Sequence, residues 1–276
     1  MSTLSGKVAL VTGAGGKLGI GRGIAMRLAQ QGADVVVNDV RSGGTSNGEW
    51  GGMEQVVADI RALGRRSLGI VADVGDAQSV QAMVSQAAQE FGRIDILINN
   101  AGATAGMDRV PVVELQESEW DRVQRINSKG TFLCSQAVTR LMLSTRVKGR
   151  IINIASTAGK TGRATYAAYC ASKFAVIGFT QSLAQELAPE GITVNAVCPS
   201  LIATERIEDL AKAATKEGTS IADQRAAMVA RASGLSPMGR MATVEDVAGI
   251  AVFLASEEAS YLTGLAINVA GGAVMH

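Results

Sequence analysis

A tyrosine and a lysine four positions apart are the residues of this sequence best suited to chemistry. Tyr169 and Lys173 lie in a segment with a helical pattern, so this spacing places both side chains on one helix face. A cation beside a phenol favours the phenolate, and we expect Tyr169 to exchange a proton near neutral pH, although a free tyrosine has a pKa of about 10. Ser156, at the end of an apolar run, supplies a hydroxyl that can hold a substrate oxygen beside that phenol.

The composition and the absence of certain sequence patterns argue against several other classes of function. The single histidine, His276, is the last residue, which excludes most acid–base schemes built on histidine. Three widely spaced cysteines without a C-x-x-C pair indicate reduced thiols and predict no metal site. A net charge of +1 without a basic block gives no indication of nucleic-acid binding. No apolar run approaches the ~18 residues that span a bilayer. Residues 1–7 lack an apolar signal-peptide core, so we expect a cytoplasmic protein.

The chain is long and apolar enough to bury one substantial core. Of its 276 residues, 47% are hydrophobic and 18% are charged, with no internal repeat or linker. Apolar runs alternate with segments of helical periodicity, which predicts an α/β fold, a doubly wound parallel sheet with helices on both faces. We expect a single domain over residues 1–276, with its ligand at the carboxyl ends of the strands. The predicted strands are residues 7–11, 34–38, 67–71, 94–98, 151–155, 192–197 and 266–269.

A glycine-rich segment follows the first predicted strand at once. Residues 12–21 read Thr-Gly-Ala-Gly-Gly-Lys-Leu-Gly-Ile-Gly, and a helical pattern with Ile20, Ile24 and Leu28 comes next. Between a strand and a helix, such glycines let the backbone approach a pyrophosphate, and the helix N-terminus offers free N–H groups. The alternative is a tight loop that binds nothing, since turns are rich in glycine. The context favours a nucleotide site.

Asp39 ends the second predicted strand, 18 residues after Gly21. This position suits the carboxylate that binds the adenosine ribose of a dinucleotide. The same carboxylate would repel the 2′-phosphate of NADP. Arg41 and Lys17 are near enough in sequence to screen that repulsion, but they do not remove the carboxylate. We therefore expect NAD(H) to be preferred and leave NADP(H) open.

Two longer segments carry further expectations. Residues 118–143 read as one helix with Ser118 as its N-cap and Asn127 midway. Because asparagine is a poor helix-interior residue, Asn127 either points at solvent or bends the helix locally. Roughly 40 residues follow the strand at 192–197 before the next strong helical pattern near Thr243, whereas such connections usually take about 2–6. We expect residues 201–240 to form a substrate lid; the alternative is a surface excursion that only covers the core.

Four motifs together resemble the short-chain dehydrogenase/reductase family, over residues 6–272. They are the Thr12-Gly13 glycine loop, the turn Asn99-Asn100-Ala101-Gly102, Ser156, and Tyr169-Cys170-Ala171-Ser172-Lys173. The interval of thirteen residues from Ser156 to Tyr169 also fits. The chain looks most similar to the 3-oxoacyl reductase-like secondary-alcohol dehydrogenases. The resemblance implies a Rossmann sheet of about seven strands, NAD(P)-dependent oxidation or reduction at CH–OH groups, and usually a homotetramer.

The resemblance also implies a role for each motif residue. Tyr169 would be the general acid/base, Ser156 the anchor of the substrate oxygen, and Lys173 both the phenol's electrostatic partner and a ribose ligand. Asn127 fits the family's helix asparagine, whose local backbone distortion holds a water for proton relay. The residues expected to bind the cofactor are Gly13, Gly19, Ile20, Gly21, Asp39, Asp73, Val74, Asn100, Ala101, Gly102, Tyr169, Lys173, Pro199, Ile202 and Thr204.

The sequence departs from the family pattern in three places. The glycine loop is two residues longer, because residues 16–18 precede Gly19, and this leaves the phosphate contacts open. Pro199-Ser200 stands where the family usually has Pro-Gly, and the usual Asp is missing before Gly271-Gly272. None of the three touches the proton-transfer set.

Tyr166 and Ser172 lie close in sequence to the catalytic candidates, and two rival functions share the same motifs. Tyr166 is a rival phenol, but residue 170 is a cysteine, so a pocket wall is favoured; Ser172 is expected to be helix filler. One rival function is an NADP(H)-dependent 3-oxoacyl reductase, and the other is a catalytically silent NAD-sensing regulatory protein.

Basic residues near the candidate site could bind an acidic partner or an anionic substrate. A 3-oxoacyl reductase needs a basic surface at the pocket mouth to dock an acidic carrier protein, and the candidates are Arg109, Arg122, Arg125 and Arg163. We expect the substrate, a small secondary alcohol or ketone, to bind in a mixed pocket with one anion contact, formed by Thr104, Met107, Arg163, Thr165 and Tyr166.

Overall fold

A parallel sheet of seven strands forms the centre of the molecule. The computed structural model describes residues 4–44, 49–204, 206–215 and 219–276. Its strands are β1 (Val8–Val11), β2 (Asp34–Asp39), β3 (Ser67–Val71), β4 (Ile96–Asn99), β5 (Arg150–Ile154), β6 (Thr193–Pro199) and β7 (Ala266–Val269). They lie in the order β3-β2-β1-β4-β5-β6-β7, so the chain reverses direction across the sheet between β1 and β4. A ligand crevice is expected at that reversal, outside the carboxyl ends of the strands.

Helices cover both faces of the sheet. They are α1 (Ile20–Gln30), α2 (Gly52–Ala62), α3 (Ala77–Phe91), α4 (Glu117–Gln124), α5 (Gly130–Ser144), α6 (Ala167–Leu187), α7 (Arg206–Ala214), α8 (Ile221–Leu235) and α9 (Val244–Ala255). The predicted doubly wound α/β fold is confirmed. None of the described helices is long and apolar enough to cross a membrane.

The first strand shows why the apolar runs are continuous. Ala9 and Val11 pack into the core beneath α1, α2 and α9, whereas Val8 and Leu10 pack beneath α3, α5 and α6. Successive strand residues point to opposite faces, and both faces are covered, so every position of β1 must be apolar.

The helix predicted over residues 118–143 begins earlier and is interrupted. Its N-cap is Gln116, which has extended backbone and makes no side-chain capping bond, so the prediction of Ser118 as N-cap is wrong. The helix is already under way at Ser118, and Glu117 and Glu119 supply negative charge to its first turn instead. Between α4 and α5, residues Arg125–Lys129 form a π-helical turn around Asn127, which is the local distortion expected of that residue.

Candidate active site

Two adjoining cavities lie at the carboxyl edge of the sheet. The larger is a cleft of about 520 Å³ above β1, β2 and β4, and the smaller is a cavity of about 140 Å³ beside β5 and α6. Ile20, Asn100 and Thr204 line both, so the cleft and the cavity are continuous. We call the larger the dinucleotide cleft and the smaller the catalytic cavity.

The catalytic cavity brings together the three side chains singled out first. Ser156 follows β5 by two residues, and it lines the cavity together with Tyr169 and Lys173 of α6. The Lys173 Nζ is 5.8 Å from the centre of the Tyr169 ring. It also donates a hydrogen bond of 2.7 Å to the Ile154 carbonyl, the last residue of β5. That bond ties α6, which carries Tyr169 and Lys173, to the end of β5, two residues before Ser156.

A hydrogen-bonded chain connects Asn127 through Ser172 to the backbone of Tyr169. The buried Asn127 side chain accepts a hydrogen bond from the Ala103 N–H (2.8 Å) and donates one to the Ser172 hydroxyl (2.9 Å). Ser172 in turn donates to the Tyr169 carbonyl at 2.7 Å. The prediction of Ser172 as helix filler is therefore wrong, because its hydroxyl joins the π-helical turn to the backbone of the candidate acid. Spacing alone does not reveal this role, since both partners come from elsewhere on the chain or from the backbone.

A second buried polar chain lies beneath the cavity. Asn99 of β4 donates hydrogen bonds to Ser135 of α5 (2.9 Å) and to Asn153 of β5 (2.8 Å). Asn153 then donates to Thr180 of α6 at 2.9 Å. These bonds connect two helices through two strands, and they fix α6 relative to the sheet.

The glycine loop packs closely on the turn after β4. Thr12 Oγ1 accepts hydrogen bonds from the N–H groups of Asn100 and Ala101, and the Asn100 amide donates to the carbonyls of Thr12 and Gly13 at 2.9 Å. Gly13 has a φ of +63°, and a Cβ there would lie 2.7 Å from the Ala101 Cα. A Cβ on Gly21 would collide with the Asn100 side chain. Gly21 is therefore required for packing and is not among the described residues that line the cleft.

The Asp39 carboxylate lines the part of the cleft at the carboxyl end of β2. It accepts hydrogen bonds from the N–H of Gly15 (2.9 Å) and from that of Val40 (2.8 Å). The Gly15 carbonyl accepts a further bond from the Trp50 indole at 2.7 Å, and the Arg22 guanidinium lies 5.0 Å from the Trp50 ring. Trp50 is not predictable as part of the site from its spacing; its only signal in the sequence is a large aromatic residue within a segment rich in glycine and serine.

Some of the other charged residues near the cleft line it, and others do not. Arg41 lines the cleft beside Asp39, whereas the exposed Lys17 is not among its described lining residues. Arg125 donates a hydrogen bond of 2.7 Å to Asp73, and both line the cleft. Burial raises the pKa of Asp73, but the hydrogen bonds from Arg125 and from the Gly75 N–H outweigh it, and the pKa lies below its ordinary value.

The cleft suits the pyrophosphate and ribose of a dinucleotide. Helix α1 starts at the cap residue Gly19 without a side-chain capping bond and without an acidic residue in its first turn, so its free N–H groups can bind an anion. In the lengthened loop, the Gly19 N–H bonds the Gly16 carbonyl at 3.4 Å, and both glycines line the cleft. The other predicted cofactor residues lining the cleft are Gly13, Ile20, Asp39, Asp73, Val74, Asn100, Ala101, Gly102 and Thr204, while Pro199 and Ile202 line the catalytic cavity.

Arg109 and Tyr166 complete one wall of the catalytic cavity. The guanidinium carbon of Arg109 lies 4.1 Å from the Tyr166 ring centre and 4.5 Å from that of Tyr169. The two rings meet edge to face with their centres 6.4 Å apart. Tyr166 is thus a pocket wall, as expected, and Arg163 also lines the cavity. The other predicted lining residues are not among those described at the cavity: Thr104 lines the dinucleotide cleft instead, and Met107 and Thr165 line neither.

The four arginines proposed as a carrier-protein surface have different surroundings. Arg122 pairs with Glu119 (2.8 Å) and Asp108 (3.4 Å). Arg125 pairs with Asp73, and the Arg109 side chain is only 10% exposed. Arg163 is exposed at the cavity, where its Nη2 donates to Thr157 at 3.1 Å. Of the four, only Arg125 and Arg163 are exposed in the described structure.

The three cysteines are buried and free. Burial raises the pKa of the Cys134 thiol to about 12. Burial also raises the pKa of Cys198, against the opposing effects of Lys160 and Lys173. Cys170, next to Tyr169, packs as a small residue on α6.

A cleft for a dinucleotide joined to a cavity with a serine, a tyrosine and a lysine defines a nucleotide-dependent oxidoreductase. Comparison with known proteins agrees: the short chain dehydrogenase family model matches residues 7–215. The chain is 41% identical to the 3-oxoacyl-[acyl-carrier-protein] reductase FabG of Staphylococcus aureus, covering 98% of each chain. It is also 41% identical to the short-chain reductase protein NovJ of Streptomyces niveus, covering 96% of this chain and 93% of the relative. An NAD⁺-bound xylitol dehydrogenase has a TM-score of 0.84 and 33% identity, covering 98% and 99% of the two chains.

The chain therefore belongs to the short-chain dehydrogenase/reductase family. It is an oxidoreductase acting on CH–OH groups, as the sequence predicts.

Proposed function

We propose that this enzyme interconverts a secondary alcohol and a ketone with NAD(H). The observation that carries the proposal is the single cavity lined by Ser156, Tyr169 and Lys173, which opens directly onto the dinucleotide cleft. A bound nicotinamide would supply or accept the hydride at the substrate carbon.

The residues of the chain handle the oxygen and its proton. In the reduction direction, Ser156 donates a hydrogen bond to the carbonyl oxygen, and Tyr169 donates the proton to that oxygen as negative charge builds on it. Lys173, whose Nζ is 5.8 Å from the ring centre, stabilises the phenolate that remains. In oxidation the same groups act in reverse, with the phenolate as the base.

Asn127 is proposed to connect Tyr169 to solvent through a bound water. Its carbonyl lies in the π-helical turn and accepts a hydrogen bond of 2.7 Å from the Thr131 hydroxyl. A carbonyl oxygen has two lone pairs, so it can accept a second bond from a water. Such a water would return the proton after each turnover.

Three features support NAD(H) as the preferred cofactor. Asp39 lines the adenosine end of the cleft, and its carboxylate is held in place by two backbone N–H groups. A 2′-phosphate close to that carboxylate would be repelled at short range. The xylitol dehydrogenase with 33% identity is NAD⁺-bound. Arg41 lines the same cleft and can screen the repulsion only in part.

A lid over residues 201–240 is part of the proposal. In α7, Ile207 and Ala211 are buried, and Ile207 lines the catalytic cavity together with Leu210. Helix α8 has no buried residue and packs against α7. An element held by so few buried side chains can order on ligand binding. Hydrogen exchange over 206–215 and 219–235 should slow when NADH and substrate bind; equal exchange in both states would make the segment ordinary packed structure.

We further propose that the protein is a cytoplasmic homotetramer. Free, buried cysteines suit a reducing compartment. Exposed aromatic side chains on α4, α5 and α6, namely Trp120, Phe132 and Phe174, are suitable for contacts between subunits. Light scattering coupled to size-exclusion chromatography measures the mass, and a monomer would refute the assembly.

The second candidate is an NADP(H)-dependent 3-oxoacyl reductase. It is favoured by the similarity to FabG over 98% of both chains. It requires a basic docking surface, and of the four arginines considered only Arg163 is exposed at the cavity without a described acidic partner.

The deciding experiment is a panel of secondary alcohols and ketones, cyclic, acyclic and charged, together with a 3-oxoacyl thioester, assayed by nicotinamide absorbance with NADH and with NADPH. We expect turnover of at least one simple ketone with NADH. Turnover confined to 3-oxoacyl thioesters with NADPH would favour the reductase, and no turnover of any member would reject both.

A further inference from the structure

The catalytic cavity is lined by three cationic side chains. Arg109, Arg163 and Lys173 all contribute, and the described lining residues include no aspartate or glutamate. The proton-transfer scheme uses Lys173 but neither arginine. Of these two arginines, Arg109 pairs with Asp108, whereas Arg163 has no described acidic partner.

Arg109 is held firmly in the cavity wall. Its guanidinium lies in the angle between the Tyr166 and Tyr169 rings, 4.1 Å and 4.5 Å from their centres. Its Nη1 lies 3.3 Å from the carboxylate of Asp108, a residue only 1% exposed. Asp108 is shared, because it also accepts a bond from Arg122. The buried Nε and Nη1 of Arg109 have no hydrogen-bond partner of proper geometry in the described structure.

Arg163 presents a second guanidinium on the serine side of the cavity. It lies in the exposed segment between Ser156 and α6, and its described side-chain contact is the hydrogen bond from Nη2 to Thr157 at 3.1 Å. Thr157 directly follows the serine that would hold the substrate oxygen. The Arg163 carbonyl accepts the Tyr166 N–H at 3.2 Å, which connects this loop to the ring beneath Arg109. Both arginines thus belong to the wall around the reacting oxygen.

We propose that Arg109 and Arg163 form an anion subsite, and that the substrate is a ketone or secondary alcohol bearing a carboxylate. Guanidinium groups match a carboxylate through paired, charge-assisted hydrogen bonds. A substrate carboxylate would offset the excess positive charge of a partly buried cavity. The compact cavity of about 140 Å³ favours a short keto acid over a long acyl chain. This inference rests on the proposed ketone reductase activity and adds its substrate class.

The test compares each keto acid with its neutral methyl ester. The pairs are 3-oxobutanoate, 4-oxopentanoate and 5-oxohexanoate with the corresponding esters, assayed with NADH, and the 3-oxobutanoyl thioester of coenzyme A is a separate arm. We expect kcat/KM of the best acid to exceed that of its ester by about 10–100-fold, the range of one charge-assisted hydrogen bond. The ratio should fall as ionic strength rises.

Variants assign the preference to the subsite. Arg163→Gln should reduce the acid-to-ester ratio of kcat/KM by at least about tenfold, mainly by raising KM of the acid. Arg109→Lys keeps the positive charge but loses the paired hydrogen-bond donors of the guanidinium and its stacking on the tyrosine rings. It should lower the acid-to-ester ratio less than Arg163→Gln does. The matched control is Arg27→Gln, an exposed arginine on α1 outside both cavities, and its ratio should equal that of the wild type.

The outcomes separate this inference from the proposed activity. Equal rates for acids and esters would overturn the subsite while leaving the ketone reductase standing. A preference for the thioester over every acid would also overturn it and would favour the carrier-linked reductase. If no ketone reacts, 5-oxohexanoate is titrated calorimetrically into the NADH-loaded enzyme. Binding that Arg163→Gln abolishes would support the subsite, and its absence in the wild type would overturn it.

Discussion

Replacing Ser172 by alanine tests how the candidate acid is positioned. The Ser172 hydroxyl is fully buried, accepts from the Asn127 amide at 2.9 Å and donates to the Tyr169 carbonyl at 2.7 Å. Ser172→Ala removes both bonds and leaves the Asn127 amide with an unpaired donor in the core. The Asn127 Oδ1 still accepts the hydrogen bond from the Ala103 N–H, so the Asn127 side chain keeps one of its two hydrogen bonds.

The expected size of the effect follows from those contacts. A buried donor without a partner costs about 1–3 kcal/mol, so the free energy of unfolding should fall by that amount in a urea titration. A displacement of about 1 Å at a reacting group can cost roughly 10²-fold in rate. We expect Ser172→Ala to slow single-turnover ketone reduction by about 10–100-fold while Kd for NADH changes little. Stopped-flow nicotinamide absorbance measures the rate.

A matched control is available in the same core. Ser135 is also fully buried and accepts from an asparagine amide, that of Asn99 at 2.9 Å, but Asn99 donates to Asn153 as well. Ser135→Ala should lower stability without slowing turnover as much, because it leaves the Asn127–Ser172–Tyr169 chain intact. If the two variants slow turnover equally at equal stability, Ser172 has no positioning role.

Three further outcomes are expected. The wild type should have a higher kcat/KM with NADH than with NADPH, and Asp39→Ala should lower the ratio of the two values. A wild-type preference for NADPH would refute the cofactor assignment. Hydrogen bonds from Arg240 and the helix cap depress the pKa of Asp246 below its ordinary 3.8, so its stabilising effect is present at neutral pH and lost on acidification. The difference in unfolding free energy between wild type and Asp246→Asn should hold from about pH 7 to pH 5 and shrink below about pH 4. Gly21→Ala should lower Tm, because its Cβ would lie 2.6 Å from the Gly13 carbonyl, whereas Gly178→Ala, with nothing within 4 Å, should not.

Most of the fold and part of the candidate site could be predicted from hydrophobic periodicity and from residues close together in the sequence. Strands buried on both faces have to be apolar throughout, so their runs are visible in the sequence, and β3 and β7 begin and end where predicted. Tyr169 and Lys173 share a helix face by spacing alone. Ser156 could be assigned to the same site because the carboxyl ends of parallel strands meet at one edge.

The contacts that position those residues could not be predicted in the same way. Ser172 acts through Asn127, which lies 45 positions away. Trp50 reaches the glycine loop across 35 positions. Arg109 enters the cavity through a loop without periodicity. Such contacts depend on how the elements pack, and neither spacing nor composition records this. The wrong N-cap at Ser118 has a local cause, since the helix is already under way there.

The most direct test of the central claim is to compare two phenols in the same cavity. Tyr169→Phe should keep NADH binding, measured by fluorescence titration, while turnover of the best ketone falls by at least ~10²–10⁴-fold, the contribution of general acid–base catalysis. Tyr166→Phe removes the hydroxyl of the neighbouring ring, whose centre is 6.4 Å away, and should leave turnover largely unchanged. Near-normal turnover in Tyr169→Phe, with loss of turnover in Tyr166→Phe, would contradict the assignment of Tyr169 as the proton donor.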